Sequence, residues 1–183
     1  MTIDFITVDD YQFDDFNLIS PQVQKALPPN YSVRPLGSSD IKRGHLKVLS
    51  VLTETGDHST EDWLDQFNYM KKRNDTYFNI VIVDHTTDSI AAVGTLLIER
   101  KFVHHNGIVG HIEDIAVANN QQGKKLGLRM IEALQYIGVK KNCYKIILDC
   151  NIKNVPFYEK CGFIQKESQM AWYTSTNNNQ SLL

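Results

Sequence analysis

The chain changes its hydrophobic period several times, and each change marks an element. "YFNIVIVD" and "SIAAVGTLLIERKFV" are two β-rich runs joined by "HTTD", which predicts a hairpin. "GIVGHIEDIAV" follows as another strand, so the middle of the chain reads as an antiparallel meander. From about Lys124 to Asn142 the period becomes helical, with Leu126, Met130, Ile131, Leu134 and Ile137 on one face. "YKIILDC" then reads as a fully apolar strand. "NVPFYEKCGF" reads as a short helix with Gly162 as its C-cap, and a last strand runs to about Tyr173.

Ahead of the meander, "YSVRPL" alternates like a short strand. Ser38, Ser39 and Asp40 offer N-caps for a helix carrying Ile41, Leu46, Val48, Leu49 and Leu52. "TETGD" ends it. Ser59 with Asp62 forms a capping pair for a second helix through about Arg73, with Trp63, Leu64, Phe67 and Met70 at helical spacing. No internal repeat is present.

Residues 1–30 differ from the rest: five aspartates, one lysine and four interspersed aromatics, ending in "LPPN". So aromatic a segment is unlike a disordered tail. It reads as an arm partly laid on the domain, with the double proline at its end. The domain proper spans 31–174, and 175–183 is a polar, frayed tail.

The 183 residues suit one domain. With 42% apolar and 22% charged residues and a net charge of -2, the chain reads as a globular protein with no bulk attraction to nucleic acid. The apolar run "IAAVGTLLI" is far shorter than the roughly 20 residues of a membrane helix, so no integral membrane segment is expected. The acidic N-terminus lacks the pattern of a signal peptide. Cys143, Cys150 and Cys161 are an odd set that fits a reducing compartment, and the expectation is a cytoplasmic protein. The six histidines show no metal-ligand spacing, and no metal is expected.

Chemistry concentrates in "HIEDIAVANNQQGKKLGL", residues 111–128. Glu113 and Asp114 are neighbours inside a strand, so on regular pleating they face opposite sides. For both to serve one site the strand must bulge or bend there. The strand-to-helix turn that follows is an anion site in waiting, since the first helical N–H groups are unpaired and Lys124 and Lys125 add charge.

The order of elements resembles the GNAT acyltransferase superfamily, which binds acetyl-CoA at such a turn. Its motif there falls on Gln122-Gly123-Lys124-Lys125-Leu126-Gly127. First and last positions match, while Lys125 stands where the family has glycine, so its side chain must point away from a pyrophosphate. "GHIEDIAV", "NCYKIILDC" and "KNVPFYEKCGF", with "LTETG" and "IERKFVH", are similar to the eukaryotic glucosamine-6-phosphate N-acetyltransferase family, over about Ser32 to Met170.

The resemblance implies an α/β (α+β) GNAT fold: a mostly antiparallel mixed sheet, flanked by helices and splayed at the acetyl-CoA site. It implies acetyl transfer from acetyl-CoA to the 2-amine of glucosamine 6-phosphate, directly in a ternary complex, in the route to UDP-N-acetylglucosamine. Glu113 and Asp114 would contact the sugar and orient or help deprotonate its amine. Ile115, Ala116 and Val117 would lie along the pantetheine arm. Gln122, Gly123, Lys124, Lys125, Leu126, Gly127 and Leu128 would hold the pyrophosphate, with Asp149 and Asn154 beside the donor. Tyr158 would stabilise or protonate the thiolate. Asp149 lies near the end of the apolar strand, where an unpaired charge would be costly, and Asn154 would cap its helix. Thr53, Lys101, Phe102, Val103, His104, Tyr144 and Lys145 would take the sugar phosphate.

The family's C-terminal arginine has no counterpart: none follows Arg129, and Trp172 and Tyr173 fall in that region. A homodimer with shared sites is also implied. Two rivals stand beside this reading: the same fold acting on another amine, and a non-catalytic acetyl-CoA-binding module. An acetyl-cysteine route finds no histidine adjacent to a cysteine.

Overall fold

The structure is a computed structural model that describes residues 10–173. It comprises two compact units, 1–148 and 149–183. The expected frayed tail lies outside the described residues.

In the first unit five strands stand in chain order: β1 (Tyr31–Pro35), β2 (Tyr77–Asp84), β3 (Ser89–Arg100), β4 (Ile108–Val117) and β5 (Lys145–Ile147). The first four pair antiparallel, and β5 runs parallel to β4. This is the mostly antiparallel mixed sheet that the family resemblance implied. β2 and β3 are central and buried on both faces, so they read as continuous apolar runs rather than alternating ones. One sheet face packs Val81, Val83, Val93 and Ala116 against Val48, Trp63 and Phe67. The other is covered by α5 (Leu126–Lys140), which buries Met130, Ile131, Leu134 and Ile137.

The helix after β1 is shorter than its apolar spacing suggests. α2 spans only His45–Leu49 and begins at Gly44, with φ 89°. Ser38, Ser39 and Asp40 lie in turns instead of capping a helix at that point. Asp40 is fully buried, and its two oxygens accept from Arg34 at 2.7 Å each, from Arg43 and from the Gly37 N–H. A carboxylate so occupied has no lone pair left for a helix end. α3 (Thr60–Lys71) matches expectation, with Ser59 and Asp62 closing a reciprocal capping box. Trp63 and Phe67 stack at 5.4 Å on its inner face.

Residues 11–27 carry more structure than an arm suggests. Gln12 is fully buried: its amide donates to the Tyr77 carbonyl at 2.6 Å and accepts from the Asn79 N–H at 2.9 Å. Phe13 meets Phe78 edge-on, and Ser20 caps a short α1 (Pro21–Ala26). At six residues with Val23 as its one buried side chain, the helix is too short to show a period.

β5 corrects the expected fully apolar strand. Only three residues pair, and Lys145 and Ile147 are exposed. Ile146 points into the core, so close to α5 that a Cβ on Gly138 would come within 2.5 Å of it.

In the second unit, Ile152–Asn154 form a 3-10 turn leading into α6 (Val155–Lys160). Gly162, at φ 90°, follows the helix; its N–H donates to the Glu159 carbonyl and the Phe163 N–H to that of Tyr158. That is a Schellman ending. The expected last strand is absent among the described residues: 163–173 form no ladder. A strand exists only through a partner for its N–H and C=O groups, and none of the described residues pairs with this one. No helix among the described residues is long and apolar enough to cross a membrane.

Candidate active site

The bulge is present at the two carboxylates. Thr95 pairs with Glu113 and Val93 with Ala116, so Asp114 and Ile115 together oppose Gly94. Asp114 takes φ 56°, which rotates the strand there. Glu113 and Asp114 are then both exposed in sequence, rather than one in and one out. Gly94 makes room for this. A Cβ on it would stand 2.7 Å from the Ile115 side chain and 2.9 Å from Met130.

Asp114 also lines a cavity of about 430 Å³ under α2 and α3. Trp63, Phe67, Met70 and Leu49 form its apolar wall, with Asn79, Thr95 and His45 as polar points. Thr95 donates to the Asn79 amide oxygen at 2.6 Å, and the Trp63 indole N–H donates to His45 Nδ1 at 3.2 Å. Burial lowers the His45 pKa to about 4, against the opposing pull of Asp40, so the ring is neutral and accepts that bond.

Beyond the bulge, no strand among the described residues pairs with the far edge of β4. β5 pairs only with Val109, Gly110 and His111, leaving Ile115, Ala116 and Val117 without a partner from β5. An extended ligand can lie along such an edge as another strand would. The turn into α5 follows. Gln122, Gly123, Lys124 and Lys125 are exposed, while Leu126 is buried and Gly127 and Leu128 half-buried. Gly123 has φ 82° and Lys125, as N-cap, φ 61°. A left-handed lysine costs about 1–2 kcal/mol. Lys125 thus adopts the backbone that glycine would take at no cost. The residues fit a pyrophosphate, with the first N–H groups of a long helix at an exposed, doubly basic turn.

The other cluster gathers at the opposite end of β4. Lys101 lies between β3 and α4 (Val103–Asn106), a tight turn in which His104, His105 and Asn106 are all left-handed, with φ 53–59°. His104 packs on Tyr144 at 4.8 Å, and Lys145 stands 5.8 Å from the Tyr144 ring. Gly107 leaves room for this packing, since a Cβ would meet the Tyr144 ring at 2.8 Å and push it aside. Phe102 is 98% exposed, and Val103 and Thr53 are exposed too. Lys101 is not a bare cation. Glu99 takes a bond from Lys101 at 2.7 Å and one from His111 at 2.8 Å, and these bonds hold its carboxyl below the ordinary range. Glu99 carried no signal in the sequence, because its partner sits across the ladder.

In the second unit, Tyr158 lies between Phe157 at 5.0 Å and Phe163 at 6.2 Å. Burial raises its phenol pKa, helped by Cys150 and Cys161. Two expectations need correction. Asn154 starts α6 without a side-chain cap bond; Asn151, three residues earlier, caps the 3-10 turn instead. Asp149 is exposed, so it carries no burial cost. Among the cysteines, burial pushes the Cys143 thiol up and away from a reactive thiolate.

The bulged acidic strand, the open edge and the basic turn are joined by a sequence match. Residues 46–163 fit the model of the acetyltransferase (GNAT) family. The chain belongs to the GNAT family. A relative named glucosamine 6-phosphate N-acetyltransferase 1, from Dictyostelium discoideum, is 50% identical over 145 residues, 79% of this chain and 92% of that one. One of that activity's name from Candida albicans is 42% identical over 137 residues, 75% of this chain and 91% of its own. The crystal structure of glucosamine-6-phosphate N-acetyltransferase from Arabidopsis thaliana superposes with TM-score 0.77 at 38% identity, covering 78% of this chain and 97% of that one.

For a GNAT protein the co-substrate is acetyl-CoA. Sequence reasoning passed over Gln121, the residue just before the family motif. It is buried and bonded to Asp84 and Tyr31, from strands far away in the chain. Its one legible sign was a second glutamine beside Gln122 in a polar turn.

Proposed function

We propose that the chain is a glucosamine 6-phosphate N-acetyltransferase. The observation that carries the reading is the bulge, which puts Glu113 and Asp114 together at an open strand edge, in a chain 50% identical to an enzyme of that name.

Acetyl-CoA lies along Ile115–Val117, with its pyrophosphate on the turn from Gln122 to Leu128. Asp149 and Asn154 border it. The sugar phosphate is taken by Lys101, His104, Tyr144 and Lys145, with Thr53, Phe102 and Val103 around it, and Glu113 and Asp114 hold the sugar. Their carboxylates orient the 2-amine and accept the proton it sheds. The amine nitrogen forms a bond to the thioester carbon, the C–S bond breaks, and the sulfur leaves with the electron pair. The Tyr158 phenol, its pKa raised by burial, carries its proton at neutral pH and donates a hydrogen bond to the leaving sulfur. The proton released from nitrogen balances the free thiol.

A homodimer is part of the proposal. Ile164, Met170, Trp172 and Tyr173 are exposed on a stretch that pairs with none of the described residues, as a strand completed by a second copy would be. The setting proposed is the cytoplasm, in the supply of UDP-N-acetylglucosamine.

The test is thiol release from acetyl-CoA with glucosamine 6-phosphate against glucosamine. Rapid release only with the phosphorylated sugar supports the reading. Equal rates with both would shift the acceptor to an amine without phosphate, which the Glu99–Lys101 pairing would favour. No release with either sugar, alongside acetyl-CoA binding, leaves only a binding module.

A further inference from the structure

Three side chains to which the proposed reaction assigns no role converge on the donor turn. Tyr31 and Asp84 face each other across the β1–β2 ladder, and Gln121 closes the 3-10 turn just before Gln122. Asp84 and Gln121 are 6% and 5% exposed, a burial that polar side chains bear only when bonded. The Gln121 amide N–H donates to Asp84 Oδ2 at 3.0 Å. The single Tyr31 proton serves Asp84 Oδ2 at 3.0 Å or the Gln121 amide oxygen at 2.7 Å. The Thr86 N–H holds the second Asp84 oxygen at 2.9 Å. The network ends on the turn itself: Lys124 donates to the Tyr31 oxygen at 2.7 Å and to the Gln121 amide oxygen at 2.5 Å.

We propose that Tyr31, Asp84 and Gln121 are positioning residues that brace the donor turn against the β1–β2 ladder and aim Lys124 at the phosphates of the donor. The turn carries two left-handed residues, Gly123 and Lys125, and is exposed from Gln122 to Lys125. Such a segment has little packing to hold its shape. The brace supplies what packing does not: a satisfied buried network permits one arrangement of its members. Lys124 spends two of its three donors on the brace and keeps one for an anion. Its ammonium also sits 5.2 Å over the Tyr31 ring. A long, flexible side chain is thereby fixed before the ligand arrives, and the ordering entropy is not charged to binding.

The inference rests on the reading that this turn holds the phosphates of acetyl-CoA. Tyr31→Phe removes the shared hydroxyl and keeps the ring; Gln121→Leu removes the amide. Calorimetry of CoA and of pantetheine reads binding, and steady-state kinetics compare acetyl-CoA with acetyl-pantetheine, which has no phosphates. Wild type should bind CoA much more tightly than pantetheine. Tyr31→Phe should weaken CoA about tenfold and raise the KM for acetyl-CoA in step, with kcat at saturating donor and kcat/KM for acetyl-pantetheine both within twofold of wild type. Gln121→Leu should do the same more strongly; if it fails to fold, Tyr31→Phe carries the test. A Tyr31→Phe enzyme with undiminished CoA affinity, or one that loses equally with both donors, would overturn the brace while leaving the donor turn intact. A wild type that does not distinguish CoA from pantetheine would overturn the donor turn and the brace together.

Discussion

The donor turn and the acceptor corner are built on opposite plans. The turn before α5 is tied through Gln121 to the buried Asp84 and the half-buried Tyr31 on two strands, and from those strands to the centre of the sheet. The acceptor corner is tied mostly to itself: His104 to Tyr144, Lys101 to Glu99, Glu99 to His111. Its residues run from half-buried to fully exposed, and Phe102 has almost no contact at all. The contrast teaches where preorganisation sits. On the proposed function, the end that would meet the large donor is the one braced by buried hydrogen bonds. The end that would meet the small sugar phosphate is the exposed one.

Four measurements press on this contrast. The largest effect should come from Asp114→Asn, at the bulge between the two regions, where the proposed reaction puts the acceptor amine. It should cut kcat by about 10²-fold or more, with a circular dichroism spectrum like that of wild type; a kcat within threefold would remove the carboxylate from proton transfer.

Acid should cost nearly as much, through the cavity behind the bulge. The folded His45 has a pKa of about 4, against 6.5 unfolded. Between those values the unfolded chain binds a proton that the folded chain does not, so stability is whole above pH 6.5 and falls toward pH 4. The loss approaches roughly 3 kcal/mol at the acid end. Urea midpoints at pH 7 and pH 4.5, compared between wild type and His45→Gln, isolate it: the variant should show a flatter profile.

Gly107→Ala should break the acceptor corner alone. The new methyl displaces Tyr144 from His104, and KM for glucosamine 6-phosphate should rise about tenfold, with KM for acetyl-CoA unchanged. Parallel rises in both would dissolve the contrast. The smallest effect belongs to the donor turn. Lys125→Gly relieves a left-handed side chain and should stabilise the fold by about 1 kcal/mol in thermal unfolding.

Much of the fold was legible because its signals are local. The β2–β3 hairpin, the Ser59–Asp62 box and the apolar stripe of α5 are each written within a dozen residues. The need for a bulge at Glu113 followed from pleating once both carboxylates were assigned to one site by resemblance. The failures are places where distant residues decide. Asp40 looks like a helix cap until Arg34 and Arg43 occupy its oxygens. "YKIILDC" looks fully buried until it is seen to lie beside only one strand. In the candidate site, the motif residues could be read from the turn, but Glu99, Tyr31 and Asp84 could not. Their roles depend on partners distant in sequence, 12 residues away for Glu99 and His111 and 90 for Tyr31 and Gln121.

Gly94 has a consequence for how such a chain can drift over generations. With Ile115, Met130 and Leu134 all within about 3 Å of where its Cβ would be, it fixes the strand and the long helix at a single register. The stretch from Phe102 to Asn106 can lengthen or shorten around new acceptors, because it is exposed throughout. An insertion within Thr95–Arg100 or Ile108–Glu113 has no such freedom: it would carry the carboxylates past the one position that can face them. Tolerance for novelty at the corner and intolerance in the ladder are two sides of one missing methyl group.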